Sequence, residues 1–320
     1  MHLDLPETNW HAEAIKNFTY KNLKDIGIEC KLFFHGDKLP SNDIDLIDIS
    51  EWCNPWHQKV AKDYNVPIVC TTEEGSGAAL KNYLKRNNID VEFMLSRIKH
   101  FIARSSWTKE MLASMGITNV TVIPYGADLK SFTPANKEPE KSFLYVGSVS
   151  RQKGVHHLLH AYLKIMDRTD WKLKLCAGEF NNDAGLLRYA EALARKNSKI
   201  KLLPFPSLLK LPEVYQNSTC FCMIQDFSSP AQFSNPSVWA CCCGLPLISL
   251  NTGAVRDYIK NGENGFLCGD VEEVAGRMLG MTGMQWKGMG RASREVAEIN
   301  FSPEKVALRY KAVYSGGVKG

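Results

Sequence analysis

Residues 143–155 read FLYVGSVSRQKGV, and this stretch decides the fold. The apolar run that ends at Gly147 predicts a β-strand, and the segment that begins at Val155 predicts a helix. The glycine lets the backbone turn sharply and approach a ligand closely. Arg151 and Lys153 can neutralise a diphosphate, because a guanidinium binds it as a planar fork and an ammonium as a point charge. We therefore predict a phosphate-binding loop, although an ordinary turn with exposed basic residues remains the local alternative.

The alternation of strands and helices repeats on both sides of a linker rich in proline, lysine and glutamate, residues 134–140. Such alternation favours parallel sheets covered by helices. We therefore predict an α/β protein with two doubly wound, Rossmann-like domains, residues 1–135 and 141–302. Ligands of such sheets bind at the carboxyl ends of the strands. A cleft between two facing domains is the expected site.

Two more turns in the second half follow the same pattern. Residues 233–246 read FSNPSVWACCCGLP, and residues 251–257 read NTGAVRD. In the first of these, Asn235 is the expected N-cap, with proline at the first helical position. The backbone amides of Ser237 and Val238 are then predicted to be free and to attract phosphate. Three such turns favour a phosphorylated ligand.

The net charge of +5 is unevenly distributed along the chain. Residues 1–140 carry −3 and residues 141–320 carry +8. This favours an anionic small ligand in the second half. The negative balance of the first half argues against a nucleic acid partner, because duplex binding needs many cationic contacts. Peripheral membrane contact stays open, because the first half contains a local group of basic residues: Lys81, Lys85, Arg86, Arg97, Lys99 and Arg104.

The composition is that of a globular protein, with 44% apolar and 23% charged residues in a chain of 320. No apolar run approaches the roughly 18 residues of a membrane-spanning helix, and the first residues lack the features of a signal peptide. Ten cysteines include no C-x-x-C pair, and the three at residues 241–243 are adjacent in a predicted helix, which makes a poor metal chelate. We expect buried, reduced thiols, no bound metal and a cytoplasmic location.

Several motifs in fixed order resemble the group 1 (family 4) retaining glycosyltransferases. They are VIPYGAD at residues 122–128, Gly147-x5-Lys153-Gly154, CGLPLI at 243–248, GAVRDYIKNGENGFL at 253–267 and FSPEKVALRYKAVY at 301–314. The resemblance implies the GT-B fold, with a shortened acceptor-side domain, a donor-binding domain and a C-terminal helix, residues 303–320, that crosses back to the first domain. It also implies transfer of a sugar from a nucleoside-diphosphate sugar to an acceptor hydroxyl with retention of configuration.

The resemblance and the turn pattern together assign candidate site residues. Those expected at the donor diphosphate are Gly147, Ser148, Arg151, Lys153, Asn235, Ser237 and Val238. Those expected at the nucleoside are Pro204, Phe205, Pro206 and Trp239. Aromatic and imidazole side chains at predicted strand-to-helix turns of the first domain are the acceptor-side candidates: Trp10, His11, Trp56 and His57.

The sequence also departs from the pattern that it resembles. The family signature is a glutamate, seven residues and a second glutamate, and here those positions are Ala231 and Trp239. The basic residue that usually follows the first glycine is Ser148, which leaves Arg151 as its substitute. The usual histidine after the Val-Pro-x-Val strand is Glu73. In the family the first glutamate contacts the donor sugar and the second the nucleotide ribose, and this chain has neither carboxylate at those positions.

In a retaining reaction without a clear nucleophile, catalysis depends on charge stabilisation at the leaving diphosphate. We assign that role to Arg151 and Lys153, and Glu73 or a phosphate oxygen would take the acceptor proton. No cofactor is expected beyond the nucleotide sugar, and the acceptor is a carbohydrate, a lipid-linked or a protein-linked group. The alternatives are a non-catalytic sugar-nucleotide-binding homologue or scaffold, and another GT-B enzyme such as a nucleotide-sugar epimerase.

Overall fold

The computed structural model describes residues 2–4, 21–34, 37–40, 43–50, 54–72, 85–178, 181–225, 233–283 and 286–318. The chain divides into two compact units. Met1–Ala127 together with Asn300–Gly320 form the first domain, and Asp128–Ile299 form the second.

The first domain is built on a six-stranded parallel sheet. Its strands are β1 (His2–Asp4), β2 (Leu32–Phe34), β3 (Ile47–Ser50), β4 (Ile68–Thr72), β5 (Ile98–Ala103) and β6 (Val120–Val122), in the order β2-β1-β3-β4-β5-β6. The helices between them include α1 (Lys21–Asp25), α2 (Pro55–Asp63), α3 (Val91–Arg97) and α4 (Ser106–Ser114). Successive strand residues face opposite sides of the sheet, so Ile68 and Cys70 join one apolar cluster and Val69 joins another.

The second domain is built on another six-stranded parallel sheet. Its strands are β7 (Ser142–Gly147), β8 (Lys172–Ala177), β9 (Ile200–Pro204), β10 (Cys220–Met223), β11 (Leu247–Leu250) and β12 (Gly265–Cys268), in the order β12-β11-β10-β7-β8-β9. The helices are α5 (Val155–Leu163), α6 (Ala184–Lys196), α7 (Leu211–Gln216), α8 (Asn235–Cys242), α9 (Val271–Met281) and α10 (Lys287–Asn300). The predicted α/β class with two parallel sheets is confirmed.

The apolar pattern leaves both edge strands of the second sheet unpredicted. β9 carries an exposed lysine, Lys201, and ends at an exposed proline, Pro204. β12 begins at Gly265, where an added Cβ would lie 2.2 Å from the Leu247 carbonyl oxygen. A strand of four residues that starts with a glycine has weak β-propensity. Its place is therefore set by close backbone packing rather than by side-chain pattern.

The C-terminal helix α11 (Pro303–Val318) belongs to the first domain. Its buried face supplies Val306, Ala307 and Tyr310 to the second apolar cluster of that domain. The Tyr314 hydroxyl donates to Asp48 Oδ2 at 2.6 Å, and Asp48 is only 1% exposed. Apolar packing and a charge-assisted hydrogen bond thus fix the helix on the sheet.

The prediction of a local basic surface on the first domain is partly wrong, because two of its arginines are used inside the domain. Arg104 is 2% exposed, and its Nη1 donates to Tyr310 Oη at 2.6 Å and to the Ile123 carbonyl at 3.3 Å. Arg97 donates from Nη2 to the Tyr64 carbonyl at 2.6 Å. Both guanidinium groups therefore hold backbone and side chains together and do not form a free cationic surface. Lys81 lies outside the described residues.

Charged side chains form ion pairs at the amino-terminal ends of the strands in the second sheet. Glu140 forms ion pairs with Lys172 and with Lys174, the latter with an Nζ–Oε2 distance of 2.8 Å. Lys174 is buried, and its Nζ also donates to the Asn217 carbonyl at 2.6 Å. Hydrogen bonds from Lys172 and then from Lys174 lower the pKa of Glu140 to about 2. The carboxylate therefore stays ionised at any physiological pH.

Arg294 of α10 connects three backbone segments of the second domain. Its Nη1 donates to the carbonyls of Phe132 at 2.8 Å and Cys242 at 2.7 Å, and its Nη2 donates to that of Leu129 at 3.2 Å. The planar guanidinium can make these bonds at once because its donors are fixed in a fork. The segment after Asp128 is thereby held on the end of α8.

Nine cysteines lie in the described part of the chain, all are free thiols, and eight are buried. Burial raises the pKa of Cys176 to about 11 and that of Cys242 to about 12. Thiols with such pKa values are poor nucleophiles at neutral pH. Among the described residues, no three His, Cys, Asp or Glu side chains are grouped as metal ligands. Within the same residues, no helix has the length and apolarity to cross a membrane.

Candidate functional site

The strand order of the second sheet reverses between β7 and β10. From β7 the chain continues to β8 and β9 on one side, whereas β10, β11 and β12 lie on the other. At such a switch point the loops after the two central strands diverge and leave a crevice at the carboxyl ends, where ligands bind. The loop at residues 148–154 and the segment that follows β10 border this crevice. Residues 226–232 of that segment, which include Ala231, lie outside the described residues.

Two glycines shape the loop after β7. Gly147 has a φ of +147°, and an added Cβ would lie 2.8 Å from Tyr145 Oη. Gly154 has a φ of +70°, and an added Cβ would lie 1.8 Å from the Ile224 carbonyl oxygen. Only glycine permits so close an approach with a left-handed backbone. The end of the loop therefore lies directly against the end of β10, which places Lys153 at the crevice.

Side chains from outside the loop hold its backbone. The Tyr145 hydroxyl donates to the Ser148 carbonyl at 2.7 Å, and Asn182 Oδ1 accepts from the Val149 N–H at 2.7 Å. The Gly178 N–H donates to the Gly147 carbonyl at 3.0 Å. The loop is thus fixed at three consecutive residues.

The two basic residues of the loop differ in their surroundings. The side chain of Arg151 is 72% exposed, and its Nε lies 3.9 Å from Asp183 Oδ2. An exposed pair at this distance contributes little stability, so the guanidinium can turn toward an incoming anion. Lys153 is half-buried, and its backbone N–H donates to Ser150 Oγ at 3.2 Å. Its ammonium group is therefore attached to an ordered backbone.

The start of α8 differs from the expected geometry. Ser234, not Asn235, is the N-cap, with an extended backbone. Its Oγ accepts from the Ser237 N–H at 3.4 Å, and its carbonyl accepts from the Val238 N–H at 3.0 Å. The expectation of free amides at Ser237 and Val238 is therefore wrong, because the helix begins one residue earlier and uses both. Pro236 has no N–H to offer.

Buried polar atoms nevertheless remain at the start of α8. Asn235 is 5% exposed, and its Nδ2 has no hydrogen-bond partner among the described residues. Ser237 Oγ and Tyr258 Oη are neighbours, and both are buried. Neither has a well-formed hydrogen bond among the described residues. Leaving a buried donor unsatisfied costs about 1–3 kcal/mol. Such a group in a crevice is typical of a site that a polar ligand or an ordered water completes.

The nucleoside candidates lie on two different elements of the second domain. Pro204 ends β9 and is exposed, whereas Phe205 and Pro206 are half-buried. Trp239 lies on α8, where its indole stacks on Phe132 with the ring centroids 5.1 Å apart and the planes at 9°. One face of this indole is thus occupied by the protein itself. Its assignment to the nucleoside stays a prediction.

A family model described as Glycosyl transferases group 1 matches residues 127–278. Residues 127–278 are thus similar to a group 1 glycosyltransferase domain. Spore coat protein SA of Bacillus subtilis (strain 168) is 24% identical over an alignment of 310 positions, which covers 87% of this chain and 80% of that protein.

Two solved structures share the fold of the whole chain. A glycosyltransferase from Rickettsia africae ESF-5 aligns with a TM-score of 0.77 at 16% identity, covering 100% of this chain and 98% of that one. HepE from Anabaena, solved in complex with UDP and glucose, aligns with a TM-score of 0.75 at 16% identity, covering 98% of each chain. The two parallel-sheet domains are therefore those of the GT-B fold of glycosyltransferases.

The acceptor-side candidates of the first domain follow two neighbouring strands of its sheet, β1 and β3. Trp10, His11 and Glu73 lie outside the described residues. His57 on α2 is 1% exposed, and Trp56 packs against the apolar cluster of the domain with its ring centroid 5.5 Å from that of His57. In this conformation the His57 imidazole is a core group and does not face an acceptor.

The sequence interpretation misses three residues that shape the crevice of the second domain: Tyr145, Asn182 and Ser234. Tyr145 is missed because a tyrosine within an apolar strand is expected to be an ordinary core residue. Ser234 lies two residues before a proline, and a serine in that position is a regular N-cap. Asn182 precedes the N-cap of α6, Asp183, in a polar turn whose contacts the sequence does not reveal.

Proposed function

We propose that the glycosyltransferase takes its sugar from a nucleoside-diphosphate sugar bound at the switch point of the second domain. The observation that carries this proposal is the buried Asn235 side chain, whose amide lacks a partner among the described residues beside that crevice. A diphosphate or sugar oxygen would satisfy it. HepE, of the same fold, was solved with UDP and glucose, which supports a nucleotide donor.

The donor diphosphate would lie between the loop at residues 148–154 and the start of α8. Arg151 and Lys153 would neutralise the charge that develops on it as the glycosidic bond breaks, because preorganised cations stabilise such charge without reorganisation. The acceptor hydroxyl would enter on the face that the diphosphate leaves, which retains the configuration. Its proton would pass to a phosphate oxygen or to Glu73. Since two cations of the chain serve the diphosphate, we expect transfer to continue in EDTA.

The test is nucleotide binding by Lys153→Ala, measured by titration calorimetry with UDP, GDP and ADP. Loss of one charge-assisted contact is worth about 1.5–3 kcal/mol, so affinity for the nucleotide that binds best should fall ten-fold or more. Lys196→Ala removes an exposed lysine at the end of α6 and is the matched control, with no expected change. Equal affinity of the Lys153 variant and the wild type would overturn the proposed site.

One observation favours a second candidate, a sugar-nucleotide binder without transferase activity. The position that would normally contact the ribose, Trp239, is occupied by an indole stacked on Phe132. Incubation with UDP-, GDP- and ADP-sugars and a broad acceptor panel separates the two. Release of nucleotide with a glycosylated product supports the transferase, whereas tight binding without release or transfer supports the binder.

A further inference from the structure

The peptide unit between Ser148 and Val149 is held at both ends by side chains. Its carbonyl accepts from Tyr145 Oη, and its N–H donates to Asn182 Oδ1, each at 2.7 Å. A trans peptide is planar, so fixing both ends fixes the orientation of the whole unit. No other rotation of this peptide keeps both bonds.

Neither anchor is itself free to move. Tyr145 is 1% exposed within β7, and its burial raises the pKa of the phenol well above its ordinary value, so the hydroxyl remains a donor. Asn182 is tied down by its own Nδ2, which donates to the Gly178 carbonyl at 2.8 Å. The next residue, Asp183, donates its N–H to the Val149 carbonyl at 2.8 Å. The turn after β8 thus forms a rigid support for the loop after β7.

This support determines where the preceding amide points. The Gly147 carbonyl accepts from Gly178, which follows β8. In a trans peptide the N–H and the C=O point in opposite directions. The Ser148 N–H is therefore directed away from β8, toward the side on which β10 lies next to β7. That side is the switch-point crevice.

We propose that Tyr145 and Asn182 are positioning residues, which hold the loop so that the Ser148 N–H and the following cations meet the donor diphosphate. This inference rests on the proposed function, because it concerns the same crevice. Neither residue touches the donor. Each holds the loop in one conformation before the donor binds. Binding then costs less conformational entropy, as in other preorganised sites.

The experiment compares Tyr145→Phe, Asn182→Ala and their double variant by titration with UDP and UMP, or the corresponding pair for the preferred base. A neutral hydrogen bond corresponds to about a three- to ten-fold change. Each single variant should lose that factor for the diphosphate and much less for the monophosphate. The double variant should lose less than the product of the two, because both bonds fix one peptide.

Tyr162→Phe is the matched control. The Tyr162 hydroxyl donates to the Trp171 carbonyl at 2.8 Å, just before β8 and so at the end of the strands opposite to the loop after β7. This variant should lose similar stability but bind UDP as the wild type does. If Tyr145→Phe fails to fold, Asn182→Ala alone decides, because its side chain is only half-buried.

The outcomes separate the two proposals. A wild type that binds no nucleoside diphosphate overturns the donor site, and the positioning roles with it. If the wild type binds and Lys153→Ala weakens binding, but Tyr145→Phe and Asn182→Ala bind the diphosphate normally, only the positioning inference fails. Equal losses for UDP and UMP would also overturn it, since they indicate a general structural effect.

Discussion

Substitution of Gly154 by alanine tests the contact between the phosphate loop and the end of β10. A non-glycine residue at a φ of +70° and a ψ of 18° costs about 1 kcal/mol. The added Cβ would also lie 1.8 Å from the Ile224 carbonyl oxygen, so loop and strand must separate by roughly 1.5 Å. Overpacking of this kind costs about 1–3 kcal/mol. Together they predict a loss of about 2–4 kcal/mol.

Gly262→Ala separates the two contributions. Gly262 lies in the same domain with a φ of +82°, and no atom is within 4 Å of its added Cβ. Only the backbone cost of about 1 kcal/mol applies there. Urea unfolding gives the stability of both variants, and calorimetry gives their affinity for UDP, which should fall about ten-fold for the Gly154 variant alone. If both variants lose equal stability and bind UDP equally, the close approach of the loop to β10 does not matter, and the reasoning fails.

Four other substitutions, one of them a control, test the charged anchors of the two domains. Arg294→Gln removes donors to three carbonyls and should cost about 3 kcal/mol in urea unfolding, whereas Arg195→Gln, which breaks an exposed helical pair with Glu191, should cost less than about 0.5 kcal/mol. Tyr314→Phe should destabilise the first domain by about 1.5–3 kcal/mol, because buried Asp48 loses a donor; an unchanged midpoint would contradict this. Glu140 has a lowered pKa, so its stabilising effect is complete above about pH 4.5 and disappears as the pH falls toward about 2. Glu140→Gln should therefore cost about 1 kcal/mol at pH 7, a value reduced by its exposure, and nearly nothing near pH 2; a pH-independent difference would be inconsistent with the ion pairs.

The sequence predicts the sheets well because the relevant information is local. Apolar runs such as residues 143–147 and 220–223 become central strands. The edge strand β12 is not predictable in the same way. Its position follows from the approach of Gly265 to Leu247, a contact between distant segments. The side-chain pattern therefore predicts strands with a regular apolar run. It does not predict a strand whose position depends on close backbone packing between distant segments.

The candidate site shows the same division. The loop around Lys153 follows from a glycine, a strand and a basic pair, all adjacent in sequence. The start of α8 is misjudged by one residue, because Ser234 and Asn235 are both good N-caps and only the backbone conformation chooses between them. That single shift removes two expected amide donors. Asn182 acts on Val149 across 33 residues of chain, and no local rule pairs the two.

The last helix of the chain, α11, completes the core of the domain that is synthesised first. A ribosome releases Val306, Ala307 and Tyr310 only after the entire second domain has been made. During synthesis the first domain therefore lacks these three core residues, while the second domain can already fold. Nascent chains expose apolar surface during such a delay. Loss of the residues from Val306 onward would consequently damage the domain that is formed by the opposite end of the polypeptide.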